Sequence, residues 1–331
     1  MSVLVTGGAG YIGSHTVLAL RERGEQVVVI DNLSTGHRRA LPDDVALVEG
    51  SIDERARVLK AIDAHRVDAI VHFAGSIVVP DSVRDPLGYY LNNTVRSRAL
   101  IAAAVEAGVR HFIFSSTAAV YGMPDANPVF ETARLAPISP YGTSKMMTEM
   151  MLADTAAAHD FDYAALRYFN VAGADPLGRT GQSTRNATHL IKVAVQTALG
   201  QRAGMTVFGT DYDTPDGTCV RDYIHVSDLA TAHLRALDHL HGGGASTVVN
   251  CGYGRGFSVR EVIAAVERAA GVTLKASDGP RRAGDPPALV AGAERIRDAF
   301  GWTPVHDDLD TIVSHALEWE RRLIERRASA A

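Results

Sequence analysis

Short runs of apolar, often β-branched residues alternate along the first half of the chain with longer stretches whose apolar positions return every three or four residues. The runs Val3–Thr6, Val27–Ile30, Val45–Val48, Ala69–Phe73, Phe112–Ser115 and Tyr163–Leu166 predict strands. They are almost continuously apolar, as strands covered on both faces are. Between them, Ile12–Arg23 and Asn92–Ala107 predict amphipathic helices. Gly24 and Gly108 stop these helices, glycine supplying the left-handed residue that closes a helix end. Repeated strand–helix–strand units predict an α/β fold built on a doubly wound parallel sheet of the Rossmann kind.

After Asn170 the texture changes. Residues 174–222 are rich in Gly, Thr, Asp and Pro, with one helical stretch near Leu190–Leu199. Regular strand and helix return over Ile224–Leu240, a clear helix covers Ser258–Ala270, and Pro280–Pro287 is a loop dense in Arg and Pro. The pattern predicts a nucleotide-binding domain over 1–173 and a smaller, mainly substrate-binding domain over 174–331. A segment near 223–250 is expected to return to the first domain.

Composition narrows the classes. The chain has 331 residues, with 33 basic against 38 acidic side chains, a net charge of −5. A chain of this length buries a core without needing a disulfide or a metal. No concentrated basic face suggests nucleic acid. No run of about 18 apolar residues predicts a membrane span, and the first residues lack the basic start of a signal peptide. The cytoplasm is the expected compartment. Cys219 and Cys251 are too few for a disulfide framework. The 13 histidines show no metal-binding spacing and read as core or surface residues. Arg321–Arg327, interleaved with Glu318, Glu320 and Glu325, reads as a solvated terminal helix.

Thr6-Gly7-Gly8-Ala9-Gly10-Tyr11-Ile12-Gly13 joins the first strand to the first helix. Glycines there permit a tight turn, let the backbone approach a pyrophosphate and leave the helix N-terminus open to phosphate. Asp31 ends the second strand, where a carboxylate accepts a ribose 2′-hydroxyl and repels a 2′-phosphate, selecting NAD over NADP. His37, Arg38 and Arg39 read as a solvated loop rather than as phosphate ligands. The spacing of the glycines points to the short-chain dehydrogenase/reductase superfamily.

Tyr141 and Lys145 share one face of a helix that opens at Pro140. The chain has only four lysines, at 60, 145, 192 and 275, so a lysine four residues after a tyrosine carries information. Ionising a phenol at neutral pH needs about 4 kcal/mol, and a unit charge at about 6 Å with an effective dielectric of about 20 supplies about 2.8 kcal/mol. Lys145 is thus expected to do most of the work of making Tyr141 a general base. Thr117, at the end of the preceding strand, is the expected hydroxyl beside the reacting oxygen, where open parallel sheets keep their active sites.

Beyond the glycine loop, the chain carries Asp31-Asn32-Leu33-Ser34, His72-Phe73-Ala74-Gly75, Phe114–Gly122, Ser139–Lys145 and Leu166–Asn170. Still more specific are Phe208–Tyr212, Asp216-Gly217-Thr218, Val220–Val226 and Arg281-Arg282-Ala283-Gly284-Asp285. Over nearly its whole length the chain resembles the UDP-glucose 4-epimerase family. The resemblance implies that Tyr141 deprotonates the sugar 4-hydroxyl while NAD takes the C4 hydride, with Thr117 and Lys145 completing the catalytic set. The 4-keto sugar then turns over and is reduced on its other face, and NAD stays bound. It implies an NAD site of Gly7, Gly10, Tyr11, Ile12, Gly13, Asp31, Asn32, Ser51, Ile52, Phe73, Ala74, Gly75, Asn92, Ser115, Tyr141, Lys145 and Tyr168. It implies a UDP-sugar site of Thr117, Asn170, His189, Phe208, Arg221, Arg282, Asp285 and Leu289, the arginines serving the diphosphate. It also implies a homodimer formed through the helices bearing Tyr141 and Asn92.

Four positions depart from the family pattern. Ile77 replaces a lysine that reaches the NAD pyrophosphate, implying looser retention. Ser51 replaces an acidic residue near the adenine. Leu289 replaces a bulkier tyrosine beside the sugar 2-substituent, implying tolerance of N-acetylated sugars. His189 stands where some relatives have a substrate-binding asparagine. The rival readings are a 4-epimerase of another UDP-sugar (N-acetylhexosamine, pentose or uronate), a nucleotide-sugar dehydratase and a non-catalytic NAD-binding regulator. Ala118-Ala119 lacks the acid pair that dehydratases place after this threonine, and an intact Tyr141–Lys145–Thr117 set argues against the regulator.

Overall fold

The computed structural model describes residues 1–184, 187–282 and 284–329, so Ala283 of the arginine-rich motif lies outside the described residues. The first half runs β1 Ser2–Thr6, α1 Tyr11–Glu22, β2 Gln26–Asp31, β3 Ala46–Glu49, α2 Arg55–His65 and β4 Ala69–His72. Helical segments α3 Val79–Arg84 and α4 Pro86–Tyr89 lead through a π-helical turn, Tyr90–Val95, into α5 Arg96–Glu106. Then come β5 His111–Thr117, α6 Pro140–Ala158, β6 Asp162–Tyr168 and β7 Asn170–Ala172.

The second half contains α7 Leu190–Ala198, β8 Met205–Phe208, β9 Val220–His225, α8 Val226–His241, β10 Thr247–Cys251 and β11 Gly256–Ser258. It closes with α9 Val259–Ala270, β12 Ala276–Gly279, β13 Ala288–Leu289, α10 Glu294–Phe300 and α11 Leu309–Ser329. Among the described residues, seven parallel strands form the main sheet in the order β10-β6-β5-β4-β1-β2-β3. This is the doubly wound sheet the strand pattern predicts.

Alternation within each strand builds the two layers. Val3 and Val5 face one core with Val17 of α1 and Leu229 of α8, while Leu4 faces another with Val58 of α2, Leu100 of α5 and Leu152 of α6. Each such side chain, taken fully from water, contributes roughly 1.5–3 kcal/mol. β10 returns the chain to the sheet edge beside β6, and α8 packs on α1.

The remaining strands make a small sheet of β7, β9, β11 and β13 and a β8–β12 pair. Helices α7, α9 and α11 pack together beside them. The α9 helix begins with a reciprocal Ser258–Glu261 cap and ends on a left-handed Gly271, which stops it where the sequence predicts.

The expected solvated terminal helix needs correction. On α11, Trp319, Glu320 and Leu323 are buried, and Glu320 pairs with Lys192 of α7. Sequence charge alone misleads there because one face of the helix carries the apolar side chains and the other the arginines.

Candidate active site

Parallel strands end together, so the loops after β1, β2, β4 and β5 gather at one edge of the sheet. Gly7 sits at φ +68, and a Cβ on it would lie 2.6 Å from the Ala74 nitrogen. Only glycine lets the first loop rest on the 73–75 segment. A Cβ on Gly13 would lie 2.3 Å from the Gly7 carbonyl oxygen. No side chain caps α1 and no acidic residue stands in its first turn, which leaves its first N–H groups for an anion.

Asp31 is clasped beside that loop. Its Oδ2 accepts the Ala9 N–H at 2.9 Å and its Oδ1 the Leu33 N–H at 2.8 Å. Burial raises the carboxyl pKa, and the two backbone donors oppose the rise. Each oxygen retains acceptor capacity for a hydroxyl. Gly50 N–H bonds the Asp31 carbonyl, which brings Ser51 and the buried Ile52 alongside. Ser51 Oγ is turned to Asp53, and Asn32 Oδ1 accepts the Ser34 N–H. Arg38 spends its guanidinium on the carbonyls of Leu41, Pro42, Asp43 and Val45. Tyr11 donates to the Gly173 carbonyl at 2.7 Å, tying the glycine loop to the chain after β7, and Ile12 packs against the core.

At the end of β5, Thr117 stands beside the Tyr141 side chain and lowers its pKa. Ser139 caps α6 by accepting the Gly142 N–H, and Pro140 occupies its first turn, which places Tyr141 at the helix start. Lys145 Nζ donates to the Ser115 carbonyl at 2.9 Å and lies 4.8 Å from the centre of the Phe114 ring. Ser115 Oγ and the Tyr168 hydroxyl bond at 2.6 Å. A Cβ on Gly75 would lie 3.7 Å from Lys145 Nζ and 3.1 Å from Asn93 Oδ1. The 73–75 segment therefore touches the glycine loop on one side and the lysine on the other. Asn92, in the π-helical turn, donates to Ser76 Oγ just beyond it.

The electrostatics correct one expectation. Burial pushes the Tyr141 phenol far above its ordinary range, and Thr117 pulls it back; Lys145 is not among the groups that shift it. The ammonium is directed at the Ser115 carbonyl and the Phe114 face instead, and burial lowers it to about 8 against the pull of Glu149. Tyr168 is pushed up to about 12, chiefly by burial.

Asn170, Arg221 and Leu289 share the small sheet: Asn170 stands opposite Tyr223, and Leu289 opposite Arg221. Arg221 lies 3.5 Å from Asp285. The Arg282 guanidinium stacks on the Phe208 ring at 3.9 Å. Gln182 donates to His189 Nδ1 at 2.6 Å, and both line a cavity of about 20 Å³ with Asn170, Lys192, Tyr223 and Trp319, room for one water. Ile77 is 46% exposed. A Cβ on Gly284, two residues after Arg282, would lie 3.1 Å from Ile138 Cδ1, just before the start of α6.

Sequence reasoning missed the polar groups behind the site. His72 bridges Thr6 Oγ1 and Ser97 Oγ at 2.7 and 2.8 Å, and Glu149, Ser116 and Arg167 form a buried cluster under α6. The signal for Glu149 was present in its spacing of four from Lys145.

Residues 3–252 match the family described as the NAD dependent epimerase/dehydratase family. The chain is 60% identical over 321 residues to a UDP-glucose 4-epimerase of Azospirillum brasilense, covering 97% of this chain and 92% of that protein. It is similar to the crystal structure of UDP-glucose 4-epimerase from Brucella ovis in complex with NAD, with a TM-score of 0.93, 45% identity and coverage of 96% and 97%. It is also similar to the UDP-glucose 4-epimerase of Bifidobacterium longum in complex with NAD+ and UDP, at a TM-score of 0.92, 36% identity and coverage of 97% and 98%.

Proposed function

The chain belongs to the NAD dependent epimerase/dehydratase family, and from that membership we propose that it is an isomerase that interconverts UDP-glucose and UDP-galactose by inverting C4 through a 4-keto intermediate. The observation that carries the reading is the double contact of the 73–75 segment, against Gly7 on one side and Lys145 on the other. It joins a dinucleotide cradle to a Thr117–Tyr141–Lys145 set.

The residues fit NAD. The glycine loop is too close-packed for a Cβ at Gly7 or Gly13, the uncapped start of α1 offers N–H donors to a pyrophosphate, and Asp31 is fixed where a ribose hydroxyl would meet it. NAD, when bound there, would supply the acceptor for the C4 hydride and its donor on return. Tyr141 Oη takes the proton of the sugar 4-hydroxyl and restores it after the ketone has turned. Thr117 holds the phenolic oxygen and steadies the sugar oxygen beside it. Lys145, one helical turn further along the same face, holds its ammonium on the Ser115 carbonyl beside the 73–75 segment, where it would meet the cofactor. Ser115 and Tyr168 brace the lysine and line the site.

Arg221 and Arg282 grip the diphosphate by charge-assisted bonds, with Asn170 and His189 beside them. Phe208 offers its ring to the base and Asp285 its carboxylate to the nucleotide ribose. Arg221 and Asp285 pair with each other at 3.5 Å, so substrate exchanges one ion pair for two contacts. Residues 1–173 serve the cofactor and 174–331 mainly the substrate, with β10 and α8 lent back to the first unit.

A second copy of the chain completes the assembly. Val83, Leu87, Leu91 and Val95 repeat every four residues along α3, α4 and the π-helical turn, and all are exposed, as are Met147 and Met150 of the adjoining α6. Such a contiguous apolar stripe supports a homodimer through these helices. No described helix is long and apolar enough to cross a membrane. Cys219 and Cys251 are free thiols, which suits a cytoplasmic setting.

Purified protein given UDP-galactose should produce UDP-glucose with no net NADH, and Tyr141→Phe should fold and bind NAD yet lose turnover. Absence of conversion by NAD-loaded wild type would end the assignment.

A further inference from the structure

Tyr141, Lys145 and Glu149 follow at intervals of four on α6, one above another on the same helix face. Each stands against the last three residues of β5. Thr117 stands beside Tyr141, the Ser115 carbonyl takes the Lys145 ammonium, and Ser116 Oγ donates to the Glu149 carboxylate. Glu149 is 5% exposed and accepts Nε and Nη2 of the equally buried Arg167 on β6, the latter at 2.6 Å. Arg167 continues through Nη1 to the Tyr121 hydroxyl at 3.0 Å, which donates to Asn250 Oδ1 at 2.6 Å. Burying such a pair costs desolvation that its own attraction barely repays, so its stabilising value alone does not account for it.

We propose that Glu149 is a positioning residue for the reaction: gripped by Ser116 and Arg167, it fixes α6 against β5 and β6 and sets a negative charge one turn from Lys145, so that the ammonium stays charged at the Ser115 carbonyl. The inference rests on the roles given above to Tyr141 and Lys145.

Every element around the ammonium agrees with this assignment. β5 offers the Phe114 ring and the Ser115 carbonyl, the π-helical turn offers Asn93, and β6 offers Tyr168 and the Arg167 bonded to Glu149. From β4 comes His72, held neutral by burial and by Lys145 itself. On α6 stand Tyr141 and Glu149. Among the described residues, Glu149 is the anion that acts on Lys145, and burial works against it.

The chain's four lysines make the test direct. Lysine labelled with ¹³C at Cε gives four signals, and the one lost in Lys145→Met reports Lys145. The full-length NAD-loaded protein is titrated as wild type, Glu149→Gln, Glu149→Asp, and the double variant Glu149→Gln/Arg167→Gln, which does not leave the Arg167 guanidinium buried without its carboxylate. In both variants lacking the carboxylate, the Lys145 titration and the alkaline limb of turnover should fall together by about one pH unit. Glu149→Asp should restore both. An unmoved Lys145 titration in whichever carboxylate-free variant folds would overturn the proposal and leave Glu149 a structural residue. Wild type that fails to turn over UDP-galactose, while Lys145 still responds to Glu149, would instead strike the proposed function.

Discussion

Lys145 donates to the backbone carbonyl of Ser115 at 2.9 Å, and not to the phenol four residues before it. The strand end therefore holds the ammonium independently of the protonation of Tyr141. A Cβ on Gly75 would come within 3.7 Å of Nζ, so the charge sits in a narrow space bounded by backbone. Lys145→Met should fold, retain NAD and lose about 10²-fold or more in kcat. Lys145→Arg should not rescue it, because a planar guanidinium does not fit a site built for one compact ammonium. Steady-state kinetics of both variants check this; activity in Lys145→Arg near wild type would refute the steric argument.

Asp31 holds its place through Ala9 and Leu33. Asp31→Asn keeps one acceptor oxygen, loses the charge and turns an amide donor toward one of those backbone N–H groups. NAD affinity should fall by about 10–100-fold, the worth of a charged hydrogen bond, and discrimination against NADP should narrow. Titration of cofactor-stripped protein with each dinucleotide measures both. Unchanged preference for NAD would mean that another group reads the ribose.

The nucleotide-binding half was legible because its signals are local. Alternating strands wear apolar residues on both faces, glycines are demanded by 2–3 Å approaches, and Tyr141 and Lys145 share a helix face through periodicity alone. What was not legible depends on the third dimension. The direction of the Lys145 side chain is set by a carbonyl thirty residues earlier in the chain. Glu320 looked like one of several solvated charges, yet Lys192, 128 residues away in sequence, makes it a buried ion pair. Asn92–Val95 read as the start of a plain helix, because nothing in apolar spacing separates the π-helical turn Tyr90–Val95 from an α-helical one.

Four histidines predict acid sensitivity. His15, His72, His225 and His233 are at most 3% exposed, and burial lowers them to about 4, 3, 2 and 4. Each folded value lies below the unfolded one of about 6.5, so below that pH the unfolded chain takes up protons that the folded chain refuses. Stability is then complete above about 6.5 and is lost as the pH falls toward the folded values, at about 1.4 kcal/mol per pH unit for each histidine. Four together remove roughly 5 kcal/mol by one unit below 6.5, a large share of a typical domain's total. Asp31 and Asp222, whose pKa values burial raises, oppose this only in the carboxylate range. Denaturant unfolding at a series of pH values should show the midpoint falling steeply from about 6.5 downward; a level midpoint to pH 5 would mean these rings ionise in place.

Leu289 stands in register with Arg221 on the small sheet and is only partly buried. If Arg221 holds the diphosphate, the neighbouring strand position borders the sugar that follows it. A leucine there leaves free the volume that a tyrosine ring and hydroxyl would fill, and that volume is what an acetamido group at the sugar's C2 needs. The wild type should therefore convert UDP-N-acetylgalactosamine at a kcat/KM within about tenfold of that for UDP-galactose, a difference inside the 1–3 kcal/mol that small steric changes in a pocket command. Leu289→Tyr should keep the unsubstituted sugar and lose the N-acetylated one by about 10–200-fold. Measuring both substrates on both proteins separates the outcomes. Loss on both sugars alike would show that the tyrosine disturbs Arg221 through the shared strand pairing. Rejection of the N-acetyl sugar by the wild type would show that a different wall closes the pocket, and Leu289→Ala should then fail to open it.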